Sequence, residues 1–228
     1  MNKKKIIVAL DSDNISSSQS LVKSLKNDAY AFKLGYEFFL NFGQEGYKLI
    51  QEEGVKIFLD LKLHDIPNTV KNGIIAISKL NPYFTTIHIT GGDKMLKEAI
   101  LVKKNIKIIG VSILTSLDPM QTKKYYNDAN LEKIVSNLVH SAINNNLDGI
   151  VCSPKEIKLV KKLSSKKFII ITPGIRPNNF LNINEDQKRF MTPKEAIDLG
   201  SDFLVIGRPI TTSSDPLEEL KQINHSIE

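Results

Sequence analysis

The residues best suited to chemistry form a single run, residues 60–65, with the sequence Asp-Leu-Lys-Leu-His-Asp. Asp60 and Lys62 are two positions apart, so on a β-strand both side chains point to one face while the intervening leucines point to the other. Flanking carboxylates stabilise a lysine as the ammonium, which makes Lys62 a proton donor rather than a Schiff-base nucleophile. The run therefore predicts proton transfer from a lysine held between acidic groups.

The same charges also have a structural interpretation, which is an internal salt bridge between Lys62 and either Asp60 or Asp65. Buried charges are costly unless they are paired, so such a bridge would be a sufficient reason for them. Lys33, on the preceding apolar run, supplies a second cation that could complete an alternating Lys-Asp-Lys-Asp array. We favour the chemical interpretation because groups of this kind cluster at functional sites.

The residues that follow the run combine a helix start with polar side chains. Pro67 disfavours helix immediately before it and suits the first turn of a helix. Asn68 or Thr69 is either a helix cap or a ligand contact, since these side chains serve both purposes. His64, and His88 further along the chain, are better explained as solvated or packed histidines than as catalytic ones.

Two arginines that follow glycine turns are candidates for binding a phosphate. Gly207 and Arg208 come directly after an apolar run, which places a backbone amide and a guanidinium where (β/α)₈ barrels often bind phosphate. Arg176 follows a Pro-Gly turn and could approach the same phosphate, and Gln187 on the next loop could close over it. The alternative is a pair of ordinary turns with solvated side chains.

Eight short apolar runs, each rich in β-branched residues, alternate with amphipathic stretches. The runs are residues 5–10, 31–34, 56–61, 85–89, 106–111, 149–152, 168–171 and 203–206. The main helical stretches are residues 17–26, 37–53, 69–80, 94–103, 131–144 and 193–199. Eight alternations in 228 residues predict an α/β protein with a single (β/α)₈ TIM barrel, and a doubly wound open sheet is the alternative.

Reacting groups of a barrel lie where the strands end, at the carboxyl-terminal face. The polar residues at the predicted strand ends are Asp11, Lys33, Asp60, Lys62, His88, Thr115, Ser116, Arg176 and Arg208. We therefore expect these side chains to converge on one mouth of the barrel.

Composition indicates one domain over residues 1–228, because 41% of the residues are apolar and no linker or low-complexity segment interrupts the pattern. The longest irregular stretch, residues 176–191, is either a loop that closes over a phosphate or a disordered segment. With Cys152 as the one cysteine, a disulfide framework and a thiolate metal cluster are excluded. We expect a reducing, cytoplasmic location.

The net charge of +6 arises from scattered lysines mixed with acidic residues, which is typical of a solvated surface rather than a nucleic-acid interface. The basic start of the chain resembles that of a signal peptide, but the apolar stretch at residues 6–10 is too short and meets Asp11 at once. No apolar run approaches membrane-spanning length. We expect no nucleic-acid partner and no membrane association.

Taken together, these motifs resemble the orotidine 5'-phosphate decarboxylase family over nearly the whole chain. The strongest match is residues 60–70, which fit the pattern Asp-x-Lys-x-x-Asp-Ile-Pro-x-Thr. Supporting matches are Val-Ala-Leu-Asp at 8–11, Lys-Leu-Gly at 33–35, Leu-Thr-Ser at 114–116, Pro-Gly-Ile-Arg at 173–176, Asp-Gln-Lys-Arg at 186–189 and Gly-Arg-Pro at 207–209.

The resemblance implies a decarboxylase that uses no cofactor and no metal and acts as a homodimer. It implies that Lys62 protonates C6 of the substrate, that Asp60 lies against the departing carboxylate, and that Lys33 contacts the ribose and orders the charged array. Asp65 and Thr69 would reach into the site of the neighbouring subunit. The remaining contacts implied are Asp11 with the ribose hydroxyls, Ser116 with the pyrimidine and Thr115 beside it, and Arg176, Gln187, Gly207 and Arg208 with the phosphate.

Two other functions fit part of the pattern. Phosphate-binding barrels that share an Asp-x-Lys-x-x-Asp strand include sugar-phosphate decarboxylases and synthases that act through a metal-bound enediolate and need magnesium. The Ile-Pro-Asn-Thr sequence at 66–69 and the Thr115-Ser116 pair favour the nucleotide substrate. A catalytically silent barrel that binds nucleotides for regulation is disfavoured because Lys62 and both neighbouring carboxylates are retained.

Overall fold

The computed structural model describes residues 4–165, 167–177 and 191–228. Eight parallel strands form a closed barrel in chain order, with the first strand paired to the eighth. The strands are β1 (Ile6–Ala9), β2 (Ala31–Leu34), β3 (Ile57–Leu63), β4 (Phe84–His88), β5 (Lys107–Val111), β6 (Gly149–Val151), β7 (Ile169–Thr172) and β8 (Phe203–Ile206). The predicted (β/α)₈ barrel is confirmed.

Helices connect the strands and cover the outside of the barrel. They are α1 (Ile15–Leu25), α2 (Tyr36–Gln51), α3 (Pro67–Leu80), α4 (Asp93–Val102), α5 (Pro119–Tyr126), α6 (Leu131–Asn144), α7 (Ile157–Leu163), α8 (Pro193–Asp198), α9 (Arg208–Thr211) and α10 (Pro216–Ser226). Short 3₁₀ turns occupy Ile89–Gly91 and Pro154–Glu156. In the part of the chain that the structure describes, no helix is both long and apolar enough to cross a membrane.

Side chains alternate along the strands between two apolar clusters, as the period of a β-strand requires. The cluster inside the barrel contains Ile7, Ala9, Ala31, Phe58, Phe84, Ile109, Ile171 and Val205. The larger cluster fills the space between strands and helices, and it includes Leu59 with Leu61 and Leu63 packed against it. Asp60 therefore belongs to the inward face of β3, as the spacing predicts.

Aromatic rings fill the amino-terminal end of the barrel. Tyr30 stacks on Phe203 with ring centroids 4.2 Å apart, and Tyr83 packs edge-on against Phe84 at 4.6 Å. Each of these residues begins a strand or directly precedes one. The large buried area of these rings stabilises the closed end, so the open mouth lies at the opposite, carboxyl-terminal end.

The strand predictions are confirmed to within one residue at every end except that of β3, which continues two residues further, to Leu63. The sequence pattern missed four helices, namely α5, α7, α9 and α10. Helices α7 and α9 have only seven and four residues, too few for a clear helical period. Helix α10 carries start signals that the prediction overlooked, since Asp215 caps it and proline occupies its first turn.

Candidate active site

A cavity of about 300 Å³ opens at the carboxyl-terminal end of the barrel. Its polar and glycine lining comes from Asp11, Lys33, Asp60, Lys62, Thr115, Gly174, Arg176, Gly207 and Arg208. Apolar side chains form the rest of the wall, among them Ala9, Phe58, Val111, Ile113, Val151 and Val205. A concave pocket in which polar groups converge between apolar walls is typical of a small-molecule site.

Four charged side chains of the cavity form an alternating array. Lys33 Nζ lies 3.2 Å from Asp11 Oδ1 and 3.8 Å from Asp60 Oδ2. Lys62 Nζ donates a hydrogen bond to the same Asp60 oxygen at 2.8 Å. The salt bridge considered from the sequence is therefore present between Asp60 and Lys62. Asp11, rather than Asp65, is the second carboxylate of the array within this chain. All four side chains line the cavity, so the array is not sealed in the core.

The backbone of β3 departs from regular pairing at these residues. Leu59 pairs with Thr85 and Leu63 with Ile87, so four steps along β3 oppose two along β4. Within this bulge Lys62 adopts φ 44°, a left-handed conformation that is uncommon for a residue with a side chain. Bulges of this kind redirect side chains near active sites.

The Asp60 carboxylate lies almost completely out of solvent, and burial by itself would raise its pKa. The charges of Lys33 and Lys62 have the opposite effect, as do hydrogen bonds from Lys62 and Thr86, and the net result is a lowered pKa. Asp60 is therefore ionised near neutral pH.

Two features of the sequence after β2 support the array. A side-chain carbon at Gly35 would lie 2.9 Å from Lys33 Nζ and 3.3 Å from Asp11 Oδ1, so glycine makes room for this ion pair. The hydroxyl of Tyr36 donates to the Leu61 carbonyl at 2.8 Å, beside the bulge. Neither residue was predicted as functional. The Lys-Leu-Gly match at 33–35 contained the signal for Gly35.

The two arginines occupy the side of the cavity formed by β7 and β8. Arg176 is buried and one guanidinium nitrogen donates to the Ile175 carbonyl at 2.9 Å, whereas Arg208 is exposed. An isolated bridge joins Ile175 to Met191 and brings together the two ends of the predicted loop 176–191. Gln187 lies outside the described residues.

Asp65, Thr69 and Ser116 are exposed and do not line the cavity of their own chain. Asp65 Oδ1 accepts a hydrogen bond from the Ile66 N–H at 2.6 Å. Helix α3 begins at Pro67 with Ile66 as its N-cap and has no side-chain cap. The alternative in which Asn68 or Thr69 caps the helix is therefore wrong. Thr115, next to Ser116, does reach the cavity.

The two histidines at the ends of β3 and β4 pack together, with ring centroids 5.1 Å apart. Burial lowers the pKa of His88 to about 4, with smaller contributions from His64 and Lys62. His88 is therefore neutral near pH 7, which agrees with the packing role favoured from the sequence.

Thr86 is a third residue of this site that the sequence reasoning missed. It is fully buried and bonds to both Asp60 and the backbone of Lys62. The only available signal was the strand period, which places Phe84, Thr86 and His88 on the inward face of β4.

Comparisons with known proteins match the chain almost from end to end. The model of the "Orotidine 5'-phosphate decarboxylase / HUMPS family" matches residues 4–223. Orotidine 5'-phosphate decarboxylase of Ehrlichia canis is 44% identical over 224 residues, 97% of each chain. That of Pseudoalteromonas translucida is 40% identical over 230 residues, 99% of this chain and 97% of the relative. The crystal structure of orotidine 5'-phosphate decarboxylase from Lactobacillus acidophilus superposes with a TM-score of 0.84 at 35% identity, covering 99% of this chain and all of the other.

Proposed function

The chain belongs to the orotidine 5'-phosphate decarboxylase / HUMPS family, and on that premise we propose that it converts orotidine 5'-phosphate to uridine 5'-phosphate and CO₂. This reaction is the last step of de novo pyrimidine nucleotide synthesis. The observation that carries the proposal is the array of Asp11, Lys33, Asp60 and Lys62 in the cavity. It combines a fixed ammonium with a buried carboxylate beside it.

Such an array suits a decarboxylation without an organic electron sink. When the bond from C6 to the carboxylate breaks, CO₂ leaves and the electron pair remains on C6 in an orbital that cannot delocalise into the ring. The Lys62 ammonium stabilises this developing charge and then gives a proton to C6. The neutral amine that remains regains its proton from solvent. This scheme requires no metal or organic cofactor.

Asp60 contributes by disfavouring the starting state. Its carboxylate is ionised and buried, so a substrate carboxylate placed beside it is repelled, and the repulsion disappears as CO₂ forms. An interaction that differs between ground state and transition state changes the rate, whereas uniform binding does not.

The other groups of the cavity would hold the nucleotide at both ends. We assign Asp11 and Lys33 to the ribose hydroxyls, while Arg176, Gly207 and Arg208 line the cavity at β7 and at β8, the strand paired with β1. We assign the phosphate to this second group, and Gln187 on the loop 176–191 would close over it. Thr115 and Ser116 would contact the pyrimidine.

Replacing Arg208 by alanine is expected to raise KM by about tenfold to a hundredfold, because a charge-assisted contact to phosphate is lost. The value of kcat should fall as well, since binding energy at the phosphate helps to position C6 against Lys62. Steady-state kinetics measure both values. Inhibition by uridine 5'-phosphate should weaken while inhibition by uridine stays unchanged, and equal weakening of both would contradict the phosphate assignment.

We also propose that the chain is a homodimer in which Asp65 and Thr69 complete the partner's site. Both side chains are exposed and lie outside the cavity of their own barrel. Two large apolar side chains of this region are also exposed: Ile66, which follows Asp65 in the sequence, by 67%, and Tyr36, whose hydroxyl bonds to Leu61, by 53%. Exposed apolar surface next to polar groups is typical of a protein interface.

The magnesium-dependent members of related barrels are the main rival, and a turnover assay separates the two. We expect the protein to consume orotidine 5'-phosphate, followed by its loss of absorbance, at the same rate with and without EDTA. Asp60 Oδ2 already accepts from Lys62 and faces Lys33, so ammonium groups occupy the position that a cation would need. Absence of turnover, or its loss with EDTA, would overturn the proposal.

A cytoplasmic location completes the proposal, since the substrate and product are soluble nucleotides.

Cys152 is buried beside the cavity, and burial raises the pKa of its thiol. An inert, protonated thiol is typical of a structural cysteine.

A further inference from the structure

One buried hydroxyl connects the two central residues of the site. The Thr86 side chain on β4 accepts a hydrogen bond from the Lys62 backbone N–H at 2.8 Å and donates one to Asp60 Oδ1 at 2.9 Å. A hydroxyl has one proton and two lone pairs, so it can make both bonds at once. Thr86 is 0% exposed and does not line the cavity.

These bonds act at the bulge of β3. Lys62 has a left-handed backbone with φ 44°, a conformation that persists only where the surroundings enforce it. The bond from its N–H to Thr86 is one such constraint, and the bond from the Tyr36 hydroxyl to the Leu61 carbonyl is another. The backbone at Lys62 determines where the side chain begins, and therefore where its ammonium lies.

The second bond determines the orientation of the Asp60 carboxylate. Thr86 holds Oδ1, which leaves Oδ2 to receive Lys62 at 2.8 Å and to face Lys33 at 3.8 Å. If the carboxylate rotated, both ammonium groups would lose their common acceptor. One side chain on β4 thus constrains the acid and the proton donor together.

We propose that Thr86 is a positioning residue that holds the Asp60 carboxylate and the Lys62 backbone in the geometry required for C6 protonation. The inference rests on the proposed decarboxylation. Because Thr86 would act through its two neighbours, its loss should lower kcat far more than it raises KM.

A second consequence concerns pH. The groups that face Asp60 are Lys33 from β2, Lys62 from β3, His88 from β4 and Tyr36 from α2. The hydrogen bond from Thr86 favours the ionised form of Asp60, so removing it should raise the Asp60 pKa. Since the reaction needs Asp60 ionised, the acid limb of kcat/KM should move to higher pH.

The adjacent residue offers a matched control. Thr85 is also 0% exposed, and its hydroxyl donates to the Leu59 carbonyl at 3.0 Å. Strand alternation places it on the opposite face of β4, away from the cavity. Replacing Thr85 by valine removes a buried hydroxyl bond to β3 without touching Asp60 or Lys62.

The test compares Thr86→Val, Thr86→Ser and Thr85→Val by steady-state kinetics, pH profiles and thermal melts. Thr86→Val should lower kcat by about tenfold to a hundredfold, the range expected from a misplacement near 1 Å, and should shift the acid limb upward. Thr86→Ser should restore most of the rate. Thr85→Val should lower Tm but keep kcat and the pH profile.

Each outcome decides the inference. Wild-type kcat and an unmoved acid limb in Thr86→Val would overturn it, and so would equal losses of kcat in Thr85→Val. If Thr86→Val fails to fold, Thr86→Ala supplies the same comparison, because it also removes the hydroxyl but places no methyl group against Asp60 and the Lys62 N–H. A wild-type chain without turnover would instead refute the proposed decarboxylation, so the two failures are distinguishable.

Discussion

Replacing Lys62 by alanine is expected to lower kcat for orotidine 5'-phosphate by about a thousandfold or more, because the proposed mechanism loses both its proton donor and its stabilising cation. Asp60 would keep one cation, Lys33, with Nζ at 3.8 Å from Oδ2. With only the Lys33 ammonium left to offset its charge, the Asp60 carboxylate repels the substrate carboxylate more strongly, so KM should rise as well. Initial rates from the loss of substrate absorbance measure both effects.

Lys71 provides a matched control for this variant. Its Nζ lies 2.8 Å from Glu98 Oε2, the same separation as between Lys62 and Asp60, but neither residue lines the cavity. Lys71→Ala should therefore retain the wild-type rate, as expected for the loss of a partly exposed ion pair. Full turnover by Lys62→Ala, with melting confirming the folded state, would rule out Lys62 as the proton donor.

The arrangement of the barrel and most of the residues at its mouth could be predicted from sequence because both depend on local periods, although His88 and Ser116 do not line the cavity. Apolar runs placed the eight strands, and the two-residue spacing placed Asp60 inward and Leu61 outward. Those inferences need only the alternation of a strand and the rule that sites lie at its carboxyl end. Lys33 and Arg176 reached the cavity for the same reason.

The bulge at Lys62 could not be predicted because it depends on the register between two strands that are distant in the sequence. A local pattern assumes regular pairing, which would give Lys62 an ordinary β conformation. The observed left-handed backbone arises where β3 slips against β4, and it brings Thr86 to the Lys62 N–H. A threonine within an apolar strand carries no signal of that contact, since threonine favours strands in any case.

Asp65 shows a different limit, because its predicted role concerns a second copy of the chain. Sequence spacing puts Asp65 three residues after Lys62, and a pairing between them within one chain was an open alternative. Its carboxylate instead accepts from the Ile66 N–H and lies outside the cavity. The strand has ended by this position, so alternation no longer determines where the side chain points. Only its placement at the rim supports a role in the partner's site.

Mixing two inactive variants, Lys62→Ala and Asp65→Ala, is expected to restore activity to about a quarter of the wild-type value, if chains exchange freely between symmetric dimers. Half of the dimers in an equal mixture then contain one chain of each kind. In such a dimer one site combines the Lys62 lesion with the partner's Asp65 lesion, and the other site is intact. Activity should rise with the fraction of mixed dimers. That fraction is measured by giving the two variants different affinity tags and isolating the dimers that carry both.

The matched control is a mixture of Lys62→Ala with Asp60→Ala. Asp60 and Lys62 are bonded within one barrel, so every site of a mixed dimer carries one lesion and no activity should return. Tagged mixed dimers of Lys62→Ala and Asp65→Ala that remain inactive would show that Asp65 does not act across an interface. If activity returns only in the mixture of Lys62→Ala with Asp65→Ala, each site must be built from both chains. Exchange of chains cannot repair a site whose essential residues all come from one barrel.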